Sequence, residues 1–118
     1  RQMCIRDSTK TSNLRKGKEI HEMIKKYNFQ NNLVLTNSLI NMYSTCGELE
    51  KSIEIFNNLL KSKIQPDETT FTCLLTGCTK TSNLTKGKEI HEMIKKYKFE
   101  NNLRLTNSLI NMYSTCGE

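Results

Sequence analysis

"LVLTNSLINMYSTCGELEKSIEIFNNLLKSKIQPD" occupies residues 33–67 and decides the fold. Leu35, Leu39, Tyr43 and Cys46 recur at steps of three and four, which places them on one face of a helix. Ile40 and Met42 broaden that face. Gly47 follows at once, and glycine supplies the left-handed conformation that ends a helix. A second apolar stripe then begins with Leu49, Ile53, Phe56 and Leu60, with Ser52 and Leu59 beside it. Glu50, Lys51, Glu54 and Lys61 take the opposite face. Gln65, Pro66 and Asp67 close the stretch: proline disfavours helix in the residue before it, and Asp67 is placed to cap the next helix. The unit is therefore two amphipathic helices joined by a tight turn.

Working outward, residues 68–102 repeat the plan. Phe71, Leu74, Leu75 and Cys78 form the first stripe, Ser82 or Asn83 caps, and Leu84, Ile90, Ile94 and Tyr97 form the second. Gly87 sits inside that second helix at a cost of about 1 kcal/mol relative to alanine, so it predicts a close helix crossing. Beyond this, residues 9–48 recur as residues 79–118 with Arg15, Asn28, Gln30 and Val34 replaced by Thr85, Lys98, Glu100 and Arg104. The offset of 70 suits two units of 35. A two-helix unit cannot bury both its stripes alone, and stacked neighbours bury them. The pattern predicts six helices, at about 13–27, 34–46, 49–61, 68–80, 84–97 and 104–115. The organisation reads as a leader at 1–9, a partial unit at 10–32, complete units at 33–67 and 68–102, and a partial unit at 103–118. Two complete units predict weak stability, since about three are needed for a stable stack.

The bulk properties exclude several classes. The 118 residues are 36% hydrophobic and 25% charged, as in an ordinary globular domain and unlike a disordered chain. No apolar run reaches membrane-spanning length, so no membrane partner is expected. The net charge of +6 suits a polyanionic partner, and equally a lysine-rich solvated surface. Of the five cysteines, Cys46 and Cys116 are one position in two copies, and Cys73 and Cys78 have no metal-ligand spacing. They read as reduced and half-buried. His21 and His91 are likewise copies with no second ligand in reach, and read as packing residues. There is no nucleophile–base pair, phosphate-cradling loop or metal cluster, so no enzyme, cofactor or metal is expected. "MCIRDS", residues 3–8, resembles the conceptual translation of a sequencing-library adaptor. Residues 1–8 are set aside as a scar with Cys4, and 1–9 are expected to be a disordered leader. The chain reads as a piece at both ends, with any targeting segment outside it.

The period of 35 and the pieces "NSLINMYSTCGELEKSIEIF" and "IQPD" resemble the pentatricopeptide repeat family. "KGKEIHEMIKKY" and "LINMYSTCG" resemble the alternating units of its plant-type subclass. The tetratricopeptide family, with period 34 and a Trp-rich first helix, fits less well, since this chain has no Trp. The resemblance implies an all-α, right-handed superhelical solenoid. It implies sequence-selective binding of single-stranded RNA, one repeat to one base, in organellar RNA processing, editing or stability. It places the protein in the mitochondrion or plastid and admits other RNA-processing proteins as partners. Two departures stand out: the subclass's shorter third unit is missing from the 70-residue period, and Glu100-Asn101-Asn102 replaces a Lys-Pro-Asp type of ending. The alternative is a protein-binding helical-repeat scaffold of the tetratricopeptide kind.

The resemblance also assigns roles. The base-reading side chains stand near the start of a unit's first helix and at its last residue. These are Asn37 with Asp67 and Thr72 with Asn102, and in the partial units Asn32 and Asn107. The family's preference implies uracil for the first pair and adenine for the second. A base-clamping position falls on Val34, Thr69 and Arg104; Val34 fits it, and Arg104 could stack by its guanidinium plane. Lys10 and Lys80 hold a position that often faces phosphate, where the other units have Thr45 and Thr115. The plainer alternative keeps Asp67 as a helix cap and Asn37 as a surface residue. Lys16, Lys18, Lys25, Lys26, Lys86, Lys88, Lys95 and Lys96 read as the outer, solvated side, with pairs such as Glu22–Lys26.

Overall fold

Among the described residues six helices alternate between two layers: α1 (Gln2–Lys26), α2 (Leu33–Thr45), α3 (Leu49–Lys61), α4 (Glu68–Lys80), α5 (Leu84–Lys96) and α6 (Leu103–Thr115). The computed structural model describes residues 2–27 and 32–117, with side chains in α1 from residue 13 onward. Helices α2, α4 and α6 stack side by side. Among the described residues α3 leans on α2 and α4, α5 leans on α4 and α6, and α1 packs on α2. This is a solenoid of helix-turn-helix repeats, a slab of 41 × 36 × 21 Å, with no strand among the described residues.

The stripes read from the sequence form the core. Leu39, Ile40, Tyr43 and Cys46 of the first stripe are buried, as are Leu49, Ser52, Phe56 and Leu59 of the second. Ile55, which the spacing did not single out, is buried with them. Phe71 is fully buried and meets Phe56, Tyr97 and Phe99 edge-on, with ring centroids 5.8, 5.8 and 5.9 Å away. Burying such a side chain contributes about 1.5–3 kcal/mol. Ser44 and Ser52 allow α2 and α3 to approach: their hydroxyls lie 2.9 Å apart, and Ser52 donates to the Ile40 carbonyl at 3.0 Å.

The termini follow their residues. Gly47 has φ +78°, and the Glu48 N–H donates to the Tyr43 carbonyl at 2.8 Å, which closes α2. At Gly87 an added Cβ would collide with the Met112 thioether, and Gly17 stands in the same relation to Met42. The expected close crossing is thus real and occurs in both copies, between α5 and α6 and between α1 and α2.

One boundary differs. Helix α1 was expected to begin near Asn13, yet it begins at Gln2 and runs unbroken through Thr11-Ser12-Asn13 and the stretch read as a leader. The same three residues at 81–83 form a turn. There Ser82 takes φ +52°, and the Asn83 N–H donates to the Cys78 carbonyl at 2.9 Å. Helix α4 is held by α2, α3, α5 and α6, so the chain must reverse where its apolar stripe ends. Helix α1 packs on α2 alone among the described residues, and nothing forces the reversal. The side chains of the adaptor-like stretch lie outside the described residues.

Candidate functional site

The first turns of α2, α4 and α6 share one construction. Each is N-capped by the last residue of the preceding unit: Asn32 Oδ1 accepts from the Leu35 N–H at 2.9 Å, Asp67 Oδ1 from Thr70 at 3.0 Å, and Asn102 Oδ1 from Leu105 at 3.0 Å. Asp and Asn are favoured there because their side chains satisfy an N–H that has no partner inside the helix. At Asp67 the Thr70 hydroxyl also accepts from the Asp67 N–H, at 3.2 Å, which completes a reciprocal capping box.

Asp67 does more than cap. Asn37, one helix away and buried, donates from Nδ2 to Asp67 Oδ1 at 3.1 Å. The Thr70 hydroxyl lies 2.6 Å from Asn37 Oδ1 and 3.0 Å from Asp67 Oδ1, and shares its proton between them. All the side-chain bonds to the carboxylate fall on Oδ1, and Oδ2 takes part in none of them. Burial alone would raise the Asp67 carboxyl. The Thr70 N–H, the Thr70 hydroxyl and the Asn37 amide outweigh it and hold the group below its ordinary value of 3.8.

These residues lie on the wall of an open groove of about 400 Å³ across α2 and α4, reaching α6. It gathers Val34, Asn37, Asp67, Thr69, Thr72 and Arg104, positions the sequence placed in separate units. Val34 is 73% exposed. Ser38, Asn41, Cys73 and Thr76 also line the groove, and the sequence reading missed them. The signal was there: Asn41 and Thr76 stand four residues after Asn37 and Thr72, on the same helix face. Thr76 also borders a smaller cleft with Lys80, Ser108 and Asn111, so Lys80 continues the line along α4.

The second pair is arranged differently. Thr72 donates its hydroxyl to the Glu68 carbonyl at 2.8 Å. The Asn102 amide donates to the Glu68 carboxylate, and Arg104 Nη1 reaches the other carboxylate oxygen at 3.3 Å. No hydrogen bond joins Thr72 to Asn102 among the described residues. Asn107, the counterpart of Asn37 on α6, is exposed.

Among the described residues none of the α1 or α5 lysines lines the groove; the side chain of Lys10, expected to face phosphate, lies outside the described residues. Lys25, Lys86 and Lys95 pair with Glu22, Glu89 and Glu92 at 3.5, 3.5 and 3.3 Å on their own helices. Glu22 therefore takes Lys25 rather than the expected Lys26, whose ammonium lies 5.5 Å from the centre of the Tyr27 ring. His21 and His91 lie 2.9 and 2.8 Å from the hydroxyls of Tyr43 and Tyr113, tying α1 to α2 and α5 to α6. Among the described residues no group of His, Cys, Asp and Glu is placed to hold a metal, and no helix is long and apolar enough to cross a membrane. Burial pushes the Cys78 thiol up to about 11, which leaves it inert at neutral pH.

Comparison with known proteins agrees on one family. Its models, described as "PPR repeat family" and "PPR repeat", match residues 31–80 and 69–99. A putative pentatricopeptide repeat-containing protein of Arabidopsis thaliana is 29% identical across 86% of this chain and 19% of its own length. A second Arabidopsis pentatricopeptide repeat-containing protein is 30% identical across 98% of this chain and 17% of its own. A third, named as mitochondrial, is 35% identical across 73% of this chain and 13% of its own. The chain thus spans less than a fifth of each of these relatives. The second alignment runs over 146 positions, more than the 118 residues present here, so that relative carries insertions where this chain has none.

Proposed function

The chain belongs to the pentatricopeptide repeat family, and from that premise we propose that it binds single-stranded RNA along the groove of α2, α4 and α6, one base to each repeat. The observation that carries this reading is the hydrogen-bonded Asn37–Asp67 pair on the groove wall, two residues 30 apart in sequence. The caps supply a physical basis for base choice. Because Oδ1 of the last residue is engaged by the following helix, the other atom of the head group is the one best placed to meet a base. At Asp67 that atom is Oδ2, which can only accept; at Asn102 it is Nδ2, which can only donate. Uracil offers a ring N–H to an acceptor, and adenine a ring nitrogen to a donor. The second hydrogen of Asn37 Nδ2 is left to meet a uracil carbonyl. The Asn37–Asp67 unit then selects uracil and the Thr72–Asn102 unit adenine, as the family's preference also implies.

In this reading exposed Val34 packs against a base, Arg104 stacks on one by its guanidinium plane, and Lys80 faces phosphate. Asn32 and Asn107 serve the flanking units. The role is binding rather than catalysis. The mitochondrion or plastid is the proposed compartment, supported by relatives whose names say mitochondrial.

An array built by repeating residues 33–102 tests this by filter binding. It should prefer a single strand of alternating U and A. Asp67→Asn should weaken the preference for uracil, since a good base contact is worth about 1–3 kcal/mol of discrimination. Lys95→Ala should leave base preference intact and only reduce the salt slope slightly. The opposite pattern would move the contact to the outer, basic side.

A further inference from the structure

Glu68 is the first residue of α4, and the two equivalent positions hold Leu33 and Leu103. In this unit a carboxylate therefore stands beside Arg104, one of the residues that line the groove. One of its oxygens accepts from Asn102 Nδ2, the group left to donate to a base once Oδ1 has capped α6. The other accepts from Arg104. Arg104 is itself one of the four positions at which the two copies differ, and its counterpart Val34 carries no charge. The carboxylate and its cation thus occur together, across the reader of one unit and not across the Asn37–Asp67 pair.

We propose that Glu68 is a specificity-determining residue that acts as an internal competitor for the base read by Asn102. Its carboxylate takes one of the two N–H groups of Asn102 Nδ2, so adenine's ring nitrogen must displace it or use the remaining hydrogen beside it. Arg104 is the second holder, keeping the carboxylate by Oε2 when a base displaces it from Asn102. A hydrogen bond to a carboxylate is stronger than one to a neutral ring nitrogen, so exchange favours the closed arrangement. The second unit therefore reads its base more weakly than the first. A leucine at position 68, as in the other units, removes the competitor. This rests on the RNA-binding reading above.

The test uses the ¹⁵N-labelled full chain and two single-stranded hexamers, 5′-CCUACC-3′ and 5′-CCUUCC-3′. The readouts are the side-chain amide signals of Asn37 and Asn102. In the unaltered chain both hexamers should shift Asn37, and the adenine-containing one should shift Asn102 weakly. Glu68→Leu should tighten binding of the adenine-containing hexamer about 2- to 10-fold, the worth of one net hydrogen bond. It should leave the Asn37 response unchanged. Glu68→Gln, which keeps the shape and loses the charge, should move the same way by less, and it serves if the leucine variant does not fold. A purely structural role for Glu68 would change both hexamers alike. If Asn37 responds but neither variant tightens adenine binding, the competitor is refuted while the binding reading stands. If Asn37 responds to neither hexamer, the binding reading falls and the competitor with it.

Discussion

Residues 9–48 and 79–118 are the same string but for four positions, and the fold completes a different half of each. In the first copy α2 has its downstream neighbours α3 and α4, so Ile40 is 0% exposed. In the second copy Ile110, the same residue on α6, is 60% exposed. The upstream ends reverse the order: Ile20 on α1 is 50% exposed, while Ile90 on α5 is 4% exposed. Asn37 is held by Asp67, the last residue of its own unit, and by Thr70 of the following unit, and Asn107 is exposed. Burial and site geometry are thus properties of neighbouring pairs of helices rather than of a helix itself. That is the behaviour of a one-dimensional stack.

The strongest way to break the comparison is to make the same substitution in both copies. Ile40→Ala should cost about 2–5 kcal/mol in denaturant unfolding, as for a fully buried side chain. Ile110→Ala should change stability by no more than about 0.5 kcal/mol, as for a surface residue. At the other end Ile90→Ala should be costly and Ile20→Ala mild. Appending residues 49–80 after Glu118 sharpens the test. The added helices should cover α6 as α3 and α4 cover α2, and Ile110→Ala should then cost as much as Ile40→Ala. Equal costs in the unextended chain would show that burial does not depend on the neighbour.

A smaller effect is expected at the polar pair. Asn37→Ala removes one hydrogen bond to Asp67 and one to Thr70, which keep their bonds to each other. Loss of about 1–3 kcal/mol should follow, the worth of two net hydrogen bonds. Asn107→Ala should be close to neutral. Thermal unfolding by circular dichroism reads both, and a neutral Asn37→Ala would mean that the network adds nothing to the fold.

The contrast also explains what the sequence could convey. Both ends of five helices, and the end of α1, were legible to within a residue because each apolar stripe ends where its cap begins, as at Gly47 and Asp67. The start of α1 was not legible, since Thr-Ser-Asn is compatible with helix or turn and its neighbours decide. Within the site, the residues that face the groove follow from periodicity and the family's pattern. Their hydrogen-bond partners do not. Nothing in the spacing said that Asn37 would find Asp67 while Asn102 would find Glu68, because that depends on the side chain at the first position of the unit's own first helix. Leucine at positions 33 and 103 against glutamate at 68 is a difference that only packing turns into chemistry.

The last test concerns acid. Asn32 and Asn102 cap α2 and α6 with amides, which do not titrate between neutral pH and strong acid. Asp67 caps α4 with a carboxylate. Its carboxyl is held below 3.8 in the folded chain, because hydrogen bonds from Thr70 and Asn37 favour the ionised form more than burial opposes it. The sign follows from linkage. A group whose folded value is depressed gives stability that is fully present above its unfolded value and is lost as pH falls through the folded one. The stability difference between the unaltered chain and Asp67→Asn should therefore be constant from about pH 7 to about pH 5 and shrink below 3.8. Asparagine caps about as well as aspartate, so the neutral-pH difference should stay below about 1 kcal/mol. Denaturant midpoints for both chains across this range measure it. A difference that persists unchanged to about pH 2 would mean that the carboxylate is not held by the Thr70 and Asn37 bonds, and would leave α4 capped no differently from its neighbours.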